Sequence, residues 1–373
     1  MIYLDNAATT RKKPQSVIDA FNYYLTEVGS SPGRGSYSIG IQASRMLYQA
    51  RMTVSNFFGL RDPNTVFTKN STEAINLFFR GFLKRGDHVV ISPYEHNAVL
   101  RPLESMRNEG IIDYSIIASE DLMENDATII RKYFRDNTSL IAMTLASNIT
   151  GRIVYNSSLF LAAKQRGVSS FLDASQGAGV IRVNMEKNGI DFLAFTAHKD
   201  LKGLPGVGGL CSVEKLSFAP LIQGGTGILG HYKTNPDIYP DGYEAGTLNM
   251  PGIWALKAAI EYTLANHDEN LKKEKSVIQY LERNLSEMER ITVYDRDVER
   301  IGTLGFNVDG YAANDIVKIL DDHGICTRGG IHCAILTHEM LGTTDTGIVR
   351  VSISENNNID EIDELIRVLK DVK

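Results

Sequence analysis

The sequence predicts an α/β fold, in which helices cover both faces of a mostly parallel sheet and a smaller α+β domain follows. Its 373 residues exceed the usual size of one domain. Short apolar strands alternate with amphipathic helices through the first part of the chain, which is typical of a parallel sheet. After Gly252, longer helices and short strands replace that alternation. We therefore predict a large domain at 15–254 and a small domain made of 1–14 and 255–373.

The spacing of apolar residues predicts each element in turn. A short strand opens the chain, a helix begins at Pro14 and ends at Gly29, a glycine- and proline-rich loop covers 30–36, and a helix follows at 41–58. In the alternating region we expect strands at 65–68, 88–92, 111–117, 139–145, 171–174, 192–195 and 208–212, and helices at 72–83, 96–107, 127–134 and 157–165. In the small domain we expect helices at 253–264, 271–288, 313–322 and 359–369, and strands at 291–294, 305–308, near 326 and at 348–353.

Composition narrows the possible functions. The net charge is −6, the isoelectric point is about 5.8 and no dense basic run occurs, so we expect no binding to nucleic acid or to a membrane surface. The chain begins without a charged and then apolar leader, and no apolar run reaches the roughly 18 residues of a spanning helix, which predicts a cytoplasmic protein. The three cysteines, Cys211, Cys326 and Cys333, are an odd number without metal-ligand spacing, so we expect neither a disulfide framework nor a metal site.

Two predicted strands end in residues that carry chemistry. The strand at 171–174 delivers Asp173, and the strand at 192–195 delivers Lys199, 26 positions later. Sites of open α/β sheets lie at such strand ends. A partly desolvated lysine beside a histidine suits a Schiff base with pyridoxal phosphate, and an aspartate can keep the pyridine nitrogen of that cofactor protonated. Taken alone, such an aspartate is more often a helix cap, and such a lysine is more often solvated.

The combination of these residues carries a resemblance. Asp173-Ala-Ser-Gln176 with Thr196-Ala-His-Lys199 resembles the class V aminotransferases, and within them the cysteine desulfurases, in the subgroup with the shorter catalytic loop. The resemblance runs essentially from end to end and includes the opening decapeptide. It implies PLP fold type I, pyridoxal 5'-phosphate as cofactor, and conversion of L-cysteine to L-alanine with sulfur passed as an enzyme persulfide to an acceptor thiol. The residues that it implies to be catalytic are Lys199, Cys333, His96 and Asp173.

The turn Asn70-Ser-Thr-Glu73 is a candidate phosphate site. It follows a strand and opens a helix, where backbone N–H groups and hydroxyls can bind a dianion, although a plain capping box explains the same pattern. The resemblance implies that Ser71 and Thr72 bind the cofactor phosphate and that Thr196 and His198 complete its cup. It also implies that Thr247 reaches the phosphate from a neighbouring subunit, which predicts a homodimer.

Three further polar residues follow predicted strands. His96 precedes a helix, where histidine is usually a cap contact, but the resemblance places it flat on the cofactor ring, where it can also move protons. The resemblance implies that Asn148 and Gln176 contact the cofactor or the substrate, although both positions also suit a turn.

The loop Cys326-Thr-Arg-Gly-Gly-Ile-His-Cys333 carries the candidate nucleophile. A cysteine next to a histidine in a flexible glycine loop favours an exposed thiolate, whereas a structural cysteine lies in an apolar strand, as Cys211 does. The pattern resembles the Arg-x-Gly-x-His-Cys loop of the desulfurases. It implies that Cys333 is the nucleophile and that Cys326 belongs to the core.

Two arginines match substrate-binding positions of the family. Arg350 corresponds to the arginine that binds the substrate carboxylate, a task that suits the planar guanidinium, and Arg328 corresponds to a second arginine in the cysteine loop. The alternative for Arg350 is an exposed charge on a strand.

The sequence is also compatible with other functions. A selenocysteine lyase acting on L-selenocysteine, or a β-elimination lyase of cysteine, would use the same fold and residues. A non-catalytic binding protein could keep the fold as a scaffold for a sulfur-transfer partner, although it would not need the full catalytic set. The chain departs from the family pattern at Leu204, Tyr37 and Gly329, which bears on loop geometry and substrate choice and removes no catalytic group.

Overall fold

The computed structural model describes residues 1–33, 35, 37–123 and 127–372. Arg34 and Ser36, in the predicted loop, and Lys373, at the end of the predicted small domain, lie outside the described residues. In the described part of the chain the strands form a seven-stranded sheet, a four-stranded sheet and a separate pair.

The helices are spread over the whole chain. In order they are α1 (Gln15–Tyr23), α2 (Ser38–Phe57), α3 (Ser71–Phe82), α4 (Asn97–Asn108), α5 (Ser119–Met123), α6 (Ile130–Tyr133), α7 (Ser157–Gln165), α8 (Met185–Asn188), α9 (Met250–Ser286), α10 (Ala313–Asp322), α11 (Ile335–Leu341) and α12 (Ile359–Lys370). A π-helical turn (Tyr24–Val28) continues α1, and Gly29, with a φ of +53°, ends it as predicted. The helix predicted at 127–134 is a 3₁₀ turn (Ala127–Ile129) followed by the short α6.

The strands are numbered in chain order in the same way. They are β1 (Ile2–Tyr3), β2 (Thr65–Thr68), β3 (Asp87–Ile91), β4 (Ile112–Ile116), β5 (Thr138–Thr144), β6 (Ser169–Asp173), β7 (Phe192–Thr196), β8 (Gly208–Ser212), β9 (Ile291–Val293), β10 (Thr303–Val308), β11 (Ile325–Cys326), β12 (Arg328–Gly330) and β13 (Ile348–Ser352).

The large sheet has the strand order β2-β8-β7-β6-β5-β3-β4. Strands β4, β3, β5, β6 and β7 run parallel to one another, and β8 runs antiparallel to both β7 and β2. This confirms the predicted mostly parallel sheet. Because the carboxyl ends of parallel strands share one edge, the residues that follow β3, β5, β6 and β7 meet there.

The smaller sheet is antiparallel, with the order β12-β13-β10-β9. The first strand of the chain pairs in parallel with β11, with Ile2 opposite Ile325. The N-terminus therefore lies against the C-terminal part of the chain. The exact domain bounds stay a prediction.

One helix differs from the prediction in its length. The helices predicted at 253–264 and 271–288 are the single helix α9. The polar stretch between them contains neither glycine nor proline, and its side chains bond back to the helix: Asn266 Nδ2 donates to Tyr262 O at 2.8 Å, and Lys273 pairs with Glu269 at 2.7 Å. A break in the apolar pattern therefore does not break the helix.

Apolar side chains fill both faces of the large sheet. On one face Phe58 packs near Phe195 of β7, with ring centroids 5.5 Å apart. On the other face Phe78 of α3 stacks on Phe171 of β6 at 4.8 Å. A third cluster, around Phe306, lies against the four-stranded sheet. Among the described residues, no helix is both long enough and apolar enough to cross a membrane, and no three potential metal ligands lie together.

Candidate active site

The candidate site lies at the carboxyl ends of β6 and β7, which are parallel neighbours. Strand β6 ends at Asp173 and β7 at Thr196, and these residues are 2% and 3% exposed. Lys199 follows β7 in the next turn of chain. The register of the two strands thus brings the predicted aspartate and lysine to one edge of the sheet.

Burial controls the protonation of Lys199. It lowers the pKa of the amine, the charge of Asp173 opposes that shift, and the charge of Arg350 adds to it. Cys333 also acts on the amine electrostatically, which places these groups around one point. A lowered pKa increases the share of neutral amine, the form that attacks a carbonyl carbon or accepts a proton.

Asp173 keeps one carboxylate oxygen available. Its Oδ1 accepts hydrogen bonds from the backbone N of Ser175, at 2.9 Å, and from the Ser175 hydroxyl. Its Oδ2 has no hydrogen-bond partner within the described ranges. The carboxylate is therefore fixed through one oxygen and can receive a cofactor N–H on the other.

The first turn of α3 leaves two hydroxyls free. Asn70 Oδ1 accepts from Glu73 N at 2.9 Å, and Glu73 Oε2 accepts from Lys69 N at 2.7 Å, so these two side chains cap the helix. The hydroxyls of Ser71 and Thr72 make no hydrogen bond to any residue that the structure describes. The cap therefore leaves both hydroxyls of the turn available to a ligand.

Two buried polar atoms lie on the lysine side of the predicted phosphate cup. In the described part of the chain, Thr196 Oγ1 and His198 Nδ1 are buried without a hydrogen-bond partner. Burial, with smaller effects of Lys199 and Lys13, lowers the pKa of His198 to about 4. Buried polar atoms without partners are rare in folded proteins, so a ligand is the simplest explanation of both.

Gly208 allows β8 to approach the turn before α3. A Cβ atom at this position would lie 2.6 Å from the carbonyl carbon of Asn70 and 2.7 Å from Phe195 O. Only glycine at this position leaves room for the turn before α3 on one side and for β7 on the other.

His96 is the N-cap of α4, and its Nδ1 accepts from Ala98 N at 3.0 Å. The neutral ring therefore carries its proton on Nε2. Burial lowers the pKa of His96 to about 4, and the charge of Lys199 adds to that shift. The expected cap contact is present, and His96 also lies within electrostatic reach of Lys199. Its stacking on a cofactor ring stays a prediction.

Two hydrogen bonds attach the cysteine loop to the start of α4 and to the turn after β5. Asn97 N donates to Cys333 O at 2.6 Å, and Asn148 Nδ2 donates to His332 O at 2.6 Å. His332 and Cys333 have φ angles of +50° and +56°, a region that costs a non-glycine residue about 1–3 kcal/mol. The surrounding contacts thus hold the loop in a strained conformation beside Lys199.

The three cysteines differ in exposure. Cys333 is exposed, while Cys211 is fully buried in β8, where burial raises the pKa of its thiol to about 12. Cys326 is only partly buried, whereas we predicted a core position. Its strand, β11, belongs to the two-stranded pair rather than to either larger sheet, which explains the difference.

His332 does not act on the Cys333 thiol in the way the sequence suggested. Its Nε2 is bonded to Ile348 O at 2.8 Å, and burial, with the charge of Arg350, lowers its pKa to about 3. A neutral ring supplies no positive charge to a thiolate. The histidine instead attaches the loop to β13.

Arg350 is buried rather than exposed on its strand. It is 2% exposed, its Nη1 donates to Asn148 O at 3.0 Å, and its Nη2 donates to Asp5 Oδ1 at 2.6 Å. Its Nε is buried and has no partner in the described ranges. The guanidinium is thus oriented by two contacts and keeps an N–H group for a substrate carboxylate.

The remaining predicted residues, Arg328, Gln176 and Thr247, lie in three different places. Arg328 lies opposite Arg350 in the β12–β13 register, and directly opposed residues share one face of a sheet. Gln176 Nε2 donates to Ala7 O at 2.9 Å, and its Oε1 is buried without a partner among the described residues. Thr247 lines a different cleft, of about 240 Å³, which also contains Glu73. The structure therefore does not bring Thr247 together with Lys199 in one chain.

Two carboxyl groups beside the site were not predicted. Glu95 is fully buried, and its Oε1 accepts from Ser92 Oγ at 2.5 Å and from Thr144 N at 2.8 Å. Burial raises the pKa of Glu95 to about 8, so it holds a proton at neutral pH. A glutamate between an apolar strand and His96 is a sequence signal that could have indicated a carboxyl group beside the site. Asp5 is 345 positions from Arg350, and no local pattern reveals that pair.

These groups fit pyridoxal phosphate. The α3 turn and the two orphaned atoms near it offer donors for a phosphate, Asp173 offers a carboxylate oxygen, and Lys199 offers an amine with a lowered pKa. Asn148 Oδ1 and Arg350 Nε are also buried without a partner among the described residues.

Comparison with known proteins gives a consistent result. Residues 2–365 match the family model for aminotransferase class-V. The chain is 33% identical to a protein named probable cysteine desulfurase from Methanothermobacter thermautotrophicus, with 100% of this chain and 94% of the relative covered. Among solved structures, it superposes on apo cysteine desulfurase from Thermococcus onnurineus NA1 with a TM-score of 0.90 and 31% identity, covering 100% and 94% of the two chains. It is also similar to the cysteine desulfurase CsdA of Escherichia coli, with a TM-score of 0.86, 25% identity, and coverage of 99% and 93%.

Proposed function

Because the chain belongs to the class V aminotransferases, and within them to the cysteine desulfurases, we propose that Lys199, Cys333 and Arg350 divide the desulfuration of L-cysteine between them. The products are L-alanine and a sulfur atom carried by Cys333. The observation that best supports this division is the attachment of the cysteine loop to the start of α4 and to the turn after β5, through Asn97 and Asn148, beside Lys199.

The cofactor is pyridoxal phosphate, which when bound supplies an electron sink for the α carbon of an amino acid. Lys199 Nζ would hold it covalently and Asp173 Oδ2 would keep its ring nitrogen protonated. Ser71, Thr72, Thr196 and His198 would bind its phosphate, with Gln176 on the same side as Asp173.

Lys199 would carry the proton transfers, and His96 would support them with a hydrogen bond. The neutral form of Lys199, which burial favours, can take the proton from the α carbon of L-cysteine. His96 carries its own proton on Nε2, because Nδ1 is occupied by Ala98 N. Its Nε2–H can therefore donate a hydrogen bond, while Lys199, once it has taken the α proton, returns a proton to the three-carbon fragment.

The sulfur step falls to Cys333. Its thiolate attacks the sulfur of the substrate, an S–S bond forms, and the C–S bond breaks with its electron pair left on the three-carbon fragment. That fragment takes up protons and leaves as L-alanine. A second thiol then removes the outer sulfur of the Cys333 persulfide, so the acceptor must also be a thiol.

The substrate carboxylate would bind to Arg350, whose Nε is free and whose orientation is set by Asp5 and Asn148. Arg328, on the same face of the sheet, adds positive charge at the mouth of the site. Asn148 Oδ1 can accept from the substrate amino group.

We further propose a homodimer in which Thr247 of one chain completes the phosphate site of the other. Supporting this, Thr247 lies in a cleft that Lys199 does not line, beside the α3 turn. Sedimentation of the purified protein as a monomer would contradict it. We place the enzyme in the cytoplasm, together with its thiol acceptor protein, because a persulfide-forming cysteine needs a compartment that keeps thiols reduced.

Product analysis tests the proposed function. Purified enzyme with bound pyridoxal phosphate is incubated with L-cysteine and a dithiol, and alanine, pyruvate and sulfide are measured. We expect alanine and sulfide in equal amounts from the wild type. In the Cys333→Ala variant, alanine formation should fall by about 10²-fold or more, since a nucleophile has been removed.

The matched control is Cys326→Ala, which removes a thiol outside the site and should leave the rate unchanged. Pyruvate and ammonia in place of alanine, or a Cys333→Ala variant as active as the parent, would instead indicate a β-elimination lyase.

A further inference from the structure

The loop that carries Lys199 turns back into the protein at Lys202. This residue is 4% exposed and has a φ of +61°, which side-chain-bearing residues seldom adopt. Its backbone N donates to Lys199 O at 2.8 Å, and its Nζ donates to Asp200 O at 3.2 Å. The ammonium group of Lys202 therefore contacts the backbone of the turn that carries Lys199.

Lys202 meets a carboxylate from the other end of the chain. Its Nζ lies 3.3 Å from Glu355 Oε2, and both side chains are 6% exposed. Glu355 follows β13, the strand of Arg350. Glu355 Oε2 has no hydrogen bond within the described part of the chain, so Lys202 is its ion-pair partner there without being a hydrogen-bond donor to it.

Further charged groups surround this pair. Asp200 Oδ2 accepts from Gly177 N at 2.6 Å, and Glu274 Oε1 accepts from Gly302 N at 2.8 Å. Burial raises the pKa of both carboxyls, to about 8 for Glu274, and the charge of Lys202 opposes each shift. Lys13, whose pKa is lowered to about 8 by burial and by Lys202, faces the same point. Lys202 thus lies among three buried carboxyl groups, those of Glu355, Asp200 and Glu274.

We propose that Lys202 is a positioning residue for the desulfuration reaction. By pairing with Glu355, it fixes the position of the loop that carries Lys199 relative to the strand that carries Arg350. The inference rests on the proposed function, in which those two groups act on the α carbon and the carboxylate of one small amino acid.

The chemistry of the pair supports positioning over simple stabilisation. A buried ion pair seldom adds more stability than apolar side chains of the same size would. In some proteins such a pair instead selects one conformation, because each charge must lie opposite the other. Lys199 and Arg350 would both contact a substrate as small as cysteine, so the distance between them must be fixed. An error of about 1 Å in the placement of such groups can lower the rate about 10²-fold.

The test compares Lys202→Met with the double variant Lys202→Met/Glu355→Gln. The control is Lys257→Met, which removes a lysine from an i,i+4 pair on α9. Hydrogen–deuterium exchange on the cofactor-free proteins follows the peptides that contain Lys199 and Glu355, and steady-state kinetics follow KM for L-cysteine and kcat.

Lys202→Met should speed exchange in both peptides several-fold and raise KM for L-cysteine about tenfold or more. The double variant should remain impaired, because it removes the buried charge but does not restore the register. The control should match the wild type in exchange and in KM.

Two results would overturn the proposal. One is a lower melting temperature with unchanged KM and unchanged exchange at the distant peptide. The other is a double variant with wild-type KM, which would trace the defect to an unpaired Glu355. If Lys202→Met does not fold, Glu355→Gln alone, which leaves the lysine loop intact, must raise KM and speed exchange around Lys199. The exchange measurement needs no turnover, so it remains decisive even if the wild type makes no alanine.

Discussion

Burial decides which side chains around Lys199 carry charge. It lowers the pKa of His96 to about 4 and that of His332 to about 3, so both rings are neutral at neutral pH. It raises the pKa of Glu95 to about 8, so that carboxyl is also neutral. The groups near Lys199 also include the Asp173 carboxylate and the Arg350 guanidinium, which act on the amine with opposite sign.

Glu95 gives a pH dependence of stability with a definite sign. A glutamate in the unfolded chain loses its proton near its ordinary pKa of 4.5, whereas folded Glu95 keeps it to about pH 8. Between these values the folded state binds more protons, so the unfolding free energy of the wild type falls as pH rises, by up to about 1.4 kcal/mol per pH unit. Glu95→Gln does not titrate, so its stability relative to the wild type should increase with pH across this window.

Urea unfolding of the cofactor-free proteins at several pH values measures this difference. Glu339→Gln, on the exposed face of α11, is the control and should show a difference that does not change with pH. The same flat profile for Glu95→Gln would show that Glu95 is ionised in the folded protein.

At the scale of elements, a buried ion pair anchors the segment that carries Thr247. Arg51 of α2 donates to both oxygens of Glu244, at 2.6 and 2.8 Å, and Phe67 N donates to the same carboxylate at 2.7 Å. Arg51 is 5% exposed and Glu244 is 8% exposed. The segment is thus attached to α2 and β2 in a fixed position.

Replacing Glu244 by glutamine should destabilise the protein strongly. It leaves the Arg51 charge buried without compensation, which typically costs about 3–5 kcal/mol. Arg367 and Glu364 on α12 also form a pair with two hydrogen bonds, but on the surface, where water screens both charges, so Glu364→Gln should cost far less stability. Urea unfolding compares the two variants, and equal losses would contradict the anchoring role.

Local patterns predicted those elements whose boundaries depend on local chemistry. Strand 208–212 and helices 157–165 and 313–322 were predicted to the residue, because glycine, caps and apolar spacing mark their ends. Strand β12 was predicted as loop, since Arg328-Gly-Gly has little strand propensity and is held by pairing with β13. The continuity of α9 was missed for a related reason, because its middle is polar on all sides.

At the scale of the whole molecule, the site is assembled from distant parts of the chain. The N-terminal segment supplies Asp5 and Thr10, the large sheet supplies Lys199, and the small sheet supplies Arg350 and the cysteine loop. Thr10 N donates to His198 O at 3.0 Å, while Asp5 pairs with Arg350. The motifs around Lys199, Asp173 and Cys333 predicted them as site residues, and the structure brings Asp173 and Cys333 close to Lys199. The sequence could not identify Asp5 or Lys202, whose charged partners lie far along the chain.

Transfer of the substrate sulfur to Cys333 can be followed by peptide mass spectrometry after a single turnover. Holoenzyme is mixed with L-cysteine without reductant, its thiols are alkylated, and the three cysteine peptides are compared. We expect one extra sulfur atom on the Cys333 peptide, removable by a dithiol, and none on the peptides of Cys211 and Cys326. Alanine formed without extra sulfur on Cys333, or with that sulfur on Cys326, would contradict the account.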